Sequence, residues 1–294
     1  MERGLFYQPG PLSPARFEAL VREVVLAESL GLQRVWCLPT FGEDGGFRGG
    51  APSVWLAGLA GKTRVIRLGW GVPGLWPPGE PPVREAEQAA TLDGACGGRL
   101  DVALLPEVGE GAEPAGPFDE GLRMCVDMWA PATFSWTSPR FSVPPIDVVP
   151  KPVQRPHPPL WLVGWSGAHA FEAGRAGMGF VDVSGGGFEV WEAGRDCYVA
   201  GRAEARADDL VCESAFAVGV DWPGDPAAGS AALPASRAAA SPDGAHAARD
   251  LLAGLEAIGI DDVLLRGSTL EDDHEQTCRR IRWFADAGRE GEGR

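Results

Sequence analysis

Residues Gly61–Leu105 (GKTRVIRLGWGVPGLWPPGEPPVREAEQAATLDGACGGRLDVALL) constrain the fold more than any other part of the chain. They read as strand, proline-rich loop, helix, glycine turn and strand. Val65, Ile66 and Leu68 form a β-branched apolar run that ends at Gly69. The next loop carries Pro73, Pro77, Pro78, Pro81 and Pro82, and proline has no amide proton to give to a helix or an inner strand. Val83–Leu92 consists mainly of strong helix formers with no breaker; Gly94, Gly97 and Gly98 end it, and Leu100–Leu105 is a second apolar strand. A strand-helix-strand unit of this kind requires parallel strands and a right-handed crossover.

The rest of the chain repeats the alternation. Leu5–Tyr7 reads as a first strand, and Ser13-Pro14 opens a helix to Leu30, with serine as cap and proline in the first turn. Arg34–Leu38 is a second strand, Pro39–Gly50 a glycine-rich loop and Ser53–Leu59 a second helix. Pro106–Pro117 reads as an acidic loop, Phe118–Trp129 as an amphipathic helix and Phe134–Pro150 as a small hairpin. Four more strands follow, at Leu160–Gly164, Gly179–Val183, Val211–Val220 and Asp262–Leu265. Helices fill the intervals at Gly167–Gly177, Phe188–Ala205, Gly244–Ile258 and His274–Ala287, and Asp221–Asp243 is a low-complexity connection. Eight strands alternating with eight helices predict an α/β fold, a (β/α)8 TIM barrel forming a single domain over 1–294.

Four stretches carry a family resemblance. The runs KTRVIRLGWGV and REAEQAATLDGACGGRLDVAL resemble the third and fourth βα units of the bacterial luciferase-like flavin monooxygenases. Val149–Trp161 (VPKPVQRPHPPLW) and the tail Asp262–Ala287 agree with the same family. The resemblance runs in order over most of the chain, with gaps after Leu105 and after about Val220. The loops after strands 4 and 7 are shortened relative to the family.

In such barrels the loops after the strands build the site. Trp70, Trp76 and Trp165 fall on those loops, where aromatic rings suit a flat ring system. Gly164-Trp165-Ser166-Gly167 joins the fifth strand to its helix, and free N–H groups at a helix start suit a phosphate. The resemblance implies that this turn helps to hold a flavin phosphate, which places Ser166, Gly167, Ala168 and His169 in the cofactor site. Thr40, Trp70, Gly71, Gly164 and Trp165 complete the expected set. The resemblance also implies a strained, cis Val72–Pro73 bond. The chain departs from the family at two strand ends. Cys37-Leu38-Pro39-Thr40-Phe41 stands where relatives carry a histidine, and Leu104-Leu105-Pro106-Glu107 where relatives run into a glycine. No catalytic residue is assigned.

Two other motifs fail on context. Gly69–Gly74 fits GxGxxG, but prolines follow where a helix must open. Gly164–Ala168 approximates a nucleophile elbow, yet Asp262 precedes its strand and His274 opens a helix, so neither reads as a triad partner. His157 precedes the fifth strand, where a structural role is expected.

A formal net charge of −15 argues against nucleic-acid and anionic-membrane partners. No apolar run approaches the ~20 residues of a membrane span, and MERGLFYQPG lacks a signal-peptide core, so a cytoplasmic location is expected. Six scattered cysteines and four histidines without metal-like spacing predict free thiols and no metal. The resemblance implies a two-component monooxygenase that uses reduced FMN from a separate flavin reductase, and O2, on a small organic substrate. Two alternatives stand beside it: an F420-dependent oxidoreductase of the same superfamily, and a degenerate, non-catalytic barrel that binds flavin or a partner. The family pairs through helices two and three, and Val54–Ala60 is apolar nearly all round, which predicts a homodimer.

Overall fold

The computed structural model describes residues 1–8, 13–41, 47–48, 51–73, 80–106, 117–205, 215–220, 244–266 and 274–289. In chain order the first elements are β1 (Glu2–Tyr7), α1 (Pro14–Ser29), β2 (Arg34–Cys37), β3 (Thr40–Phe41), β4 (Phe47–Arg48), α2 (Pro52–Ala60), β5 (Arg67–Pro73), α3 (Val83–Ala95), β6 (Leu100–Leu105) and α4 (Pro117–Trp129). Then come β7 (Phe134–Thr137), β8 (Ser142–Ile146), β9 (Leu160–Gly164), α5 (Gly167–Arg175), β10 (Gly179–Asp182), α6 (Phe188–Glu204), β11 (Phe216–Val220), α7 (Gly244–Ala257), β12 (Asp262–Arg266) and α8 (His274–Arg289). Eight parallel strands close in the order β1-β12-β11-β10-β9-β6-β5-β2, the barrel that the alternation predicts. Two antiparallel ribbons decorate it. β7–β8 is the expected hairpin, whereas β3–β4 lies inside the stretch read as a glycine-rich loop.

Strand parity sorts the core into two compartments. Phe6, Trp36, Leu38, Ala103, Leu105, Trp161, Val163, Val181, Ala217 and Leu264 point into the barrel. Leu5, Tyr7, Val35, Leu68, Trp70, Val72 and Leu104 point outward under the helices. Two indoles fill the lumen against glycines on the neighbouring strand. Trp36 pairs in register with Gly69, Trp161 with Gly179, and the two rings meet edge to face at 5.6 Å. Beneath them Arg34 lies over Trp161, 4.8 Å from the ring centre, and ion-pairs with Asp101 and Asp262; Arg67 reaches Asp101 at 2.6 Å. The N-terminal end of the lumen is therefore sealed by charge pairs, and the opposite end is left for chemistry.

The third barrel strand corrects its sequence assignment. It starts at Arg67 and runs to Pro73, through both glycines, rather than covering Val65–Leu68 and stopping at Gly69. Val65 is 77% exposed. The amides of Arg64, Val65 and Ile66 instead converge on one carboxylate oxygen of Glu28, at 2.7–2.9 Å. The cis bonds among the described residues are Val149–Pro150 and Arg155–Pro156; the expected one at Val72–Pro73 is not among them.

A buried polar cluster ties the first βα unit to the last helix. Glu23 accepts two bonds from Arg16 (2.7 and 3.2 Å) and one from the Tyr7 hydroxyl (2.9 Å), and His274 Nδ1 lies 2.8 Å away. His157 is buried below β9, as expected of a structural residue; its Nδ1 donates to the Pro158 carbonyl at 2.8 Å.

Candidate cofactor site at the barrel mouth

The β9–α5 turn is built by close packing. A side chain at Gly164 would meet His169 Cβ at 2.6 Å, so β9 must end on a residue without one. Ser166 then takes extended dihedrals (φ −144°, ψ 158°) and caps α5, its Oγ accepting from the His169 amide at 3.3 Å. Gly167 follows as the first helical residue and packs on α6, where a Cβ would lie 2.9 Å from Cys197 Sγ. Two turns further along, Gly174 and Gly201 bring the α5 and α6 backbones into direct contact, so the start of α5 is held firmly.

The electrostatics of this turn favour an anion. No acidic residue occupies the first turn of α5, and the amides of Gly167 and Ala168 precede the first intrahelical bond, which Ala170 makes to Ser166. The His169 ring folds back over the helix start, with Nδ1 2.9 Å from Ser166 Oγ and Trp165 edge-on at 4.8 Å. Burial lowers its pKa, so the ring is neutral near pH 7. Trp165 remains 38% exposed. The start of α6 is less suited to an anion: Gly187 provides no side-chain cap and Glu189 sits in the first turn. Asp182, at the end of β10, accepts from the Ser184 amide at 2.7 Å, and burial raises its pKa.

The expected site residues divide into four places. Gly164, Trp165, Ser166, Gly167, Ala168 and His169 form one continuous turn. Gly71 lies apart, inside β5, where Leu38, Pro39 and Leu105 crowd the position a Cβ would take, the nearest at 2.9 Å. Thr40 pairs through its backbone with Arg48 in the β3–β4 ribbon, beyond β2. Trp70 is not at the mouth. It faces outward and lines an apolar crevice under α3 and α4 with Val72, Val102, Leu122, Cys125 and Trp129. The register error in the third strand explains this misplacement, because a residue inside a strand alternates faces whereas one on a loop does not. Trp76 and Glu107 lie outside the described residues; Pro106 is buried directly after β6. Cys197, which supports Gly167, has no signal in the sequence, since its relevance comes only from α6 crossing α5.

The turn holds a serine and a histidine in contact, but not a hydrolytic triad. Among the described residues no carboxylate meets His169 Nε2, and the Ser166 hydroxyl is engaged by its own helix.

The description "luciferase-like monooxygenase" fits a family model matching residues 1–221. The chain belongs to that family. Solved structures resemble it over nearly their whole lengths. The monooxygenase RslO1 from Streptomyces bottropensis is 21% identical with a TM-score of 0.74, covering 100% of both chains. The oxygenating constituent of 3,6-diketocamphane monooxygenase from Pseudomonas putida, in complex with FMN, is 14% identical with a TM-score of 0.71 and covers 98% of this chain and 97% of its own. An F420-dependent secondary alcohol dehydrogenase, in complex with an F420-acetone adduct, is 15% identical with a TM-score of 0.68 and covers 98% of each. At these identities the likeness speaks for the barrel. The uncharacterized protein y4wF of Sinorhizobium fredii is 31% identical over 124 residues, covering 39% of this chain and 36% of that protein. No helix among the described residues is long and apolar enough to cross a membrane.

Proposed function

We propose that the protein is a two-component flavin-dependent monooxygenase that takes reduced FMN from a separate reductase and acts with O2 on a small, apolar organic substrate. The observation that carries this reading is the β9–α5 turn, a helix start with open amides and no acid in its first turn, set on a barrel of this family. The turn fits the phosphate of such a cofactor: Gly167 and Ala168 would donate from the backbone, and His169 would donate from its ring. The Trp165 ring, partly exposed beside them, suits contact with a flat ring system. When bound, the reduced flavin supplies the electrons and the reaction with oxygen. The chain's part is to bind, orient and keep water out. Leu38, Leu105 and Val163, all buried and lumen-facing, give the upper lumen the apolar character that this requires.

One observation favours a second reading, a barrel that binds but does not catalyse. Pro106 follows β6 directly and removes a backbone donor from that strand end. The two readings, and the F420 alternative, separate in one experiment. Purified protein is titrated anaerobically with reduced FMN and, in parallel, with F420, and oxygen is then admitted. Saturable FMN binding followed by oxygen consumption coupled to substrate oxidation supports the monooxygenase. Selective F420 binding without oxygen uptake moves the function to hydride transfer. Binding of neither sinks both enzyme readings. The protein acts as a homodimer through α2 and α3: α2 carries no charged residue and leaves Val54 71% exposed. Sedimentation showing a monomer at micromolar concentration would refute the dimer.

A further inference from the structure

Within the protein, the contact between Ser166 and His169 has one proton arrangement that satisfies both of the facing atoms. The Ser166 hydroxyl accepts from the His169 amide at 3.3 Å and lies 2.9 Å from His169 Nδ1. It has a single hydrogen to give. If Nδ1 carried a proton, the hydroxyl would accept twice and its own hydrogen would need another acceptor; among the described residues Ser166 has none besides Nδ1. If Nδ1 is bare, the hydroxyl donates to it and both groups are satisfied. A neutral imidazole with a bare Nδ1 carries its proton on Nε2. Burial, which lowers the His169 pKa, works against the doubly protonated ring.

We propose that Ser166 is a positioning residue: it fixes His169 as the Nε2–H tautomer and so holds that N–H as the side-chain donor for an oxyanion at the start of α5. The serine does not touch the ligand. Its sequence position suggests direct phosphate binding, but its one hydrogen is spent on His169, and the remaining lone pair of its oxygen offers nothing to an anion. His169 is the third helical residue, the place from which a side chain reaches back to the cap, as glutamate does in a capping box. It is only 7% exposed, yet Nε2 meets no protein acceptor among the described residues. That N–H is left open to a ligand, and a phosphate oxygen is the chemistry that the neighbouring amides also favour. The ligand half of this inference rests on the cofactor reading above; the tautomer half does not.

The test begins on the ligand-free protein. Long-range 1H–15N correlation spectra of the histidine side chains, assigned with His169→Phe, should show His169 as the Nε2–H tautomer. Ser166→Ala should release it into a tautomer mixture, and Ser166→Thr should restore it. Oxidised FMN and riboflavin, which differ by the phosphate, then probe the ligand half. Wild type should prefer FMN, and His169→Phe should lose about tenfold of that preference, the order expected for one hydrogen bond to a charged group. Ser166→Ala should lose a smaller part, which Ser166→Thr recovers. An Nδ1–H tautomer in wild type, or an unchanged tautomer in Ser166→Ala, overturns the positioning role. A correct tautomer with equal affinity for FMN and riboflavin overturns the oxyanion assignment. Failure of FMN, riboflavin and F420 to bind at all defeats the cofactor reading and the oxyanion with it, while the spectra still decide the Ser166–His169 relation.

Discussion

The indole of Trp36 occupies the space that any side chain at Gly69 would need. The two residues are register partners on β2 and β5, and a Cβ at position 69 would lie only 2.1 Å from Trp36 Cε3. Gly69→Ala should therefore destabilise the protein. The gain from stiffening the unfolded chain is about 0.4–1 kcal/mol, and overpacking a filled core costs about 1–3 kcal/mol. Urea midpoints should fall for Gly69→Ala and recover in part when Trp36→Leu is added. Equal losses in the single variant and the double variant would mean that the indole is not what the methyl group meets. Gly179 and Trp161 should behave alike.

This pair also marks how far the sequence can be read. Alternating apolar segments, breakers and caps predict the barrel and its order, because each of those signals is local. Gly69 looks like the end of a strand for the same local reason. Its role as a hole for Trp36 depends on a neighbour 33 positions away, and no local pattern reports that. Once the strand is cut short at Gly69, Trp70 moves from a strand face to a loop and appears at the mouth. The β9–α5 turn was legible because its cap, its glycines and its histidine are contiguous. Cys197 and the Glu23 cluster were not, since both are assembled across helices.

Glu23 gathers Arg16, Tyr7 and His274 around one buried carboxylate. Removing one partner from a buried charge pair typically costs about 3–5 kcal/mol, so Glu23→Ala should approach that loss. Tyr7→Phe should cost only about 1 kcal/mol, because Glu23 keeps its ion pair with Arg16. Chemical denaturation at constant m-value checks the ratio. A Tyr7→Phe loss as large as that of Glu23→Ala would show that the hydroxyl, not the charge, holds the cluster.

Stability should fall with pH in two separate windows. Burial lowers the pKa of His157, against an opposing hydrogen bond to Pro158, and burial lowers that of His169. The unfolded chain then takes up protons first, so both contributions are complete above the ordinary histidine value of about 6.5 and are lost as pH drops toward the folded values. For Glu28, burial raises the pKa, but the amides of Val65, Ile66 and Arg64 outweigh it and the net shift is downward. Its contribution is present above the ordinary glutamate value of about 4.3 and disappears only below that. Urea midpoints followed from about pH 8 downward should show the histidine loss first, flattened in His169→Phe. Glu28→Gln should flatten only the acidic window, at a cost of about 1 kcal/mol near neutrality. A profile flat between the two regions and insensitive to His169→Phe would contradict the neutral buried rings.

Trp70 and Trp165 should separate in function, although the sequence places both tryptophans on the loops at the barrel mouth. Trp70 faces away from the lumen and lines the crevice between β5, β6 and the helices α3 and α4. Trp70→Leu removes buried aromatic area and should cost about 2–4 kcal/mol, with little change in FMN affinity for the folded protein. Trp165 is partly exposed and leans on His169, so its removal should cost little stability. Trp165→Ala should weaken FMN binding about three- to tenfold, the range of one aromatic contact of about 0.5–1.5 kcal/mol. Tryptophan fluorescence quenching by FMN reads both variants in one titration, beside their thermal midpoints. Loss of FMN binding in folded Trp70→Leu with none in Trp165→Ala would reverse the assignment and place the flavin ring outside the β9–α5 mouth.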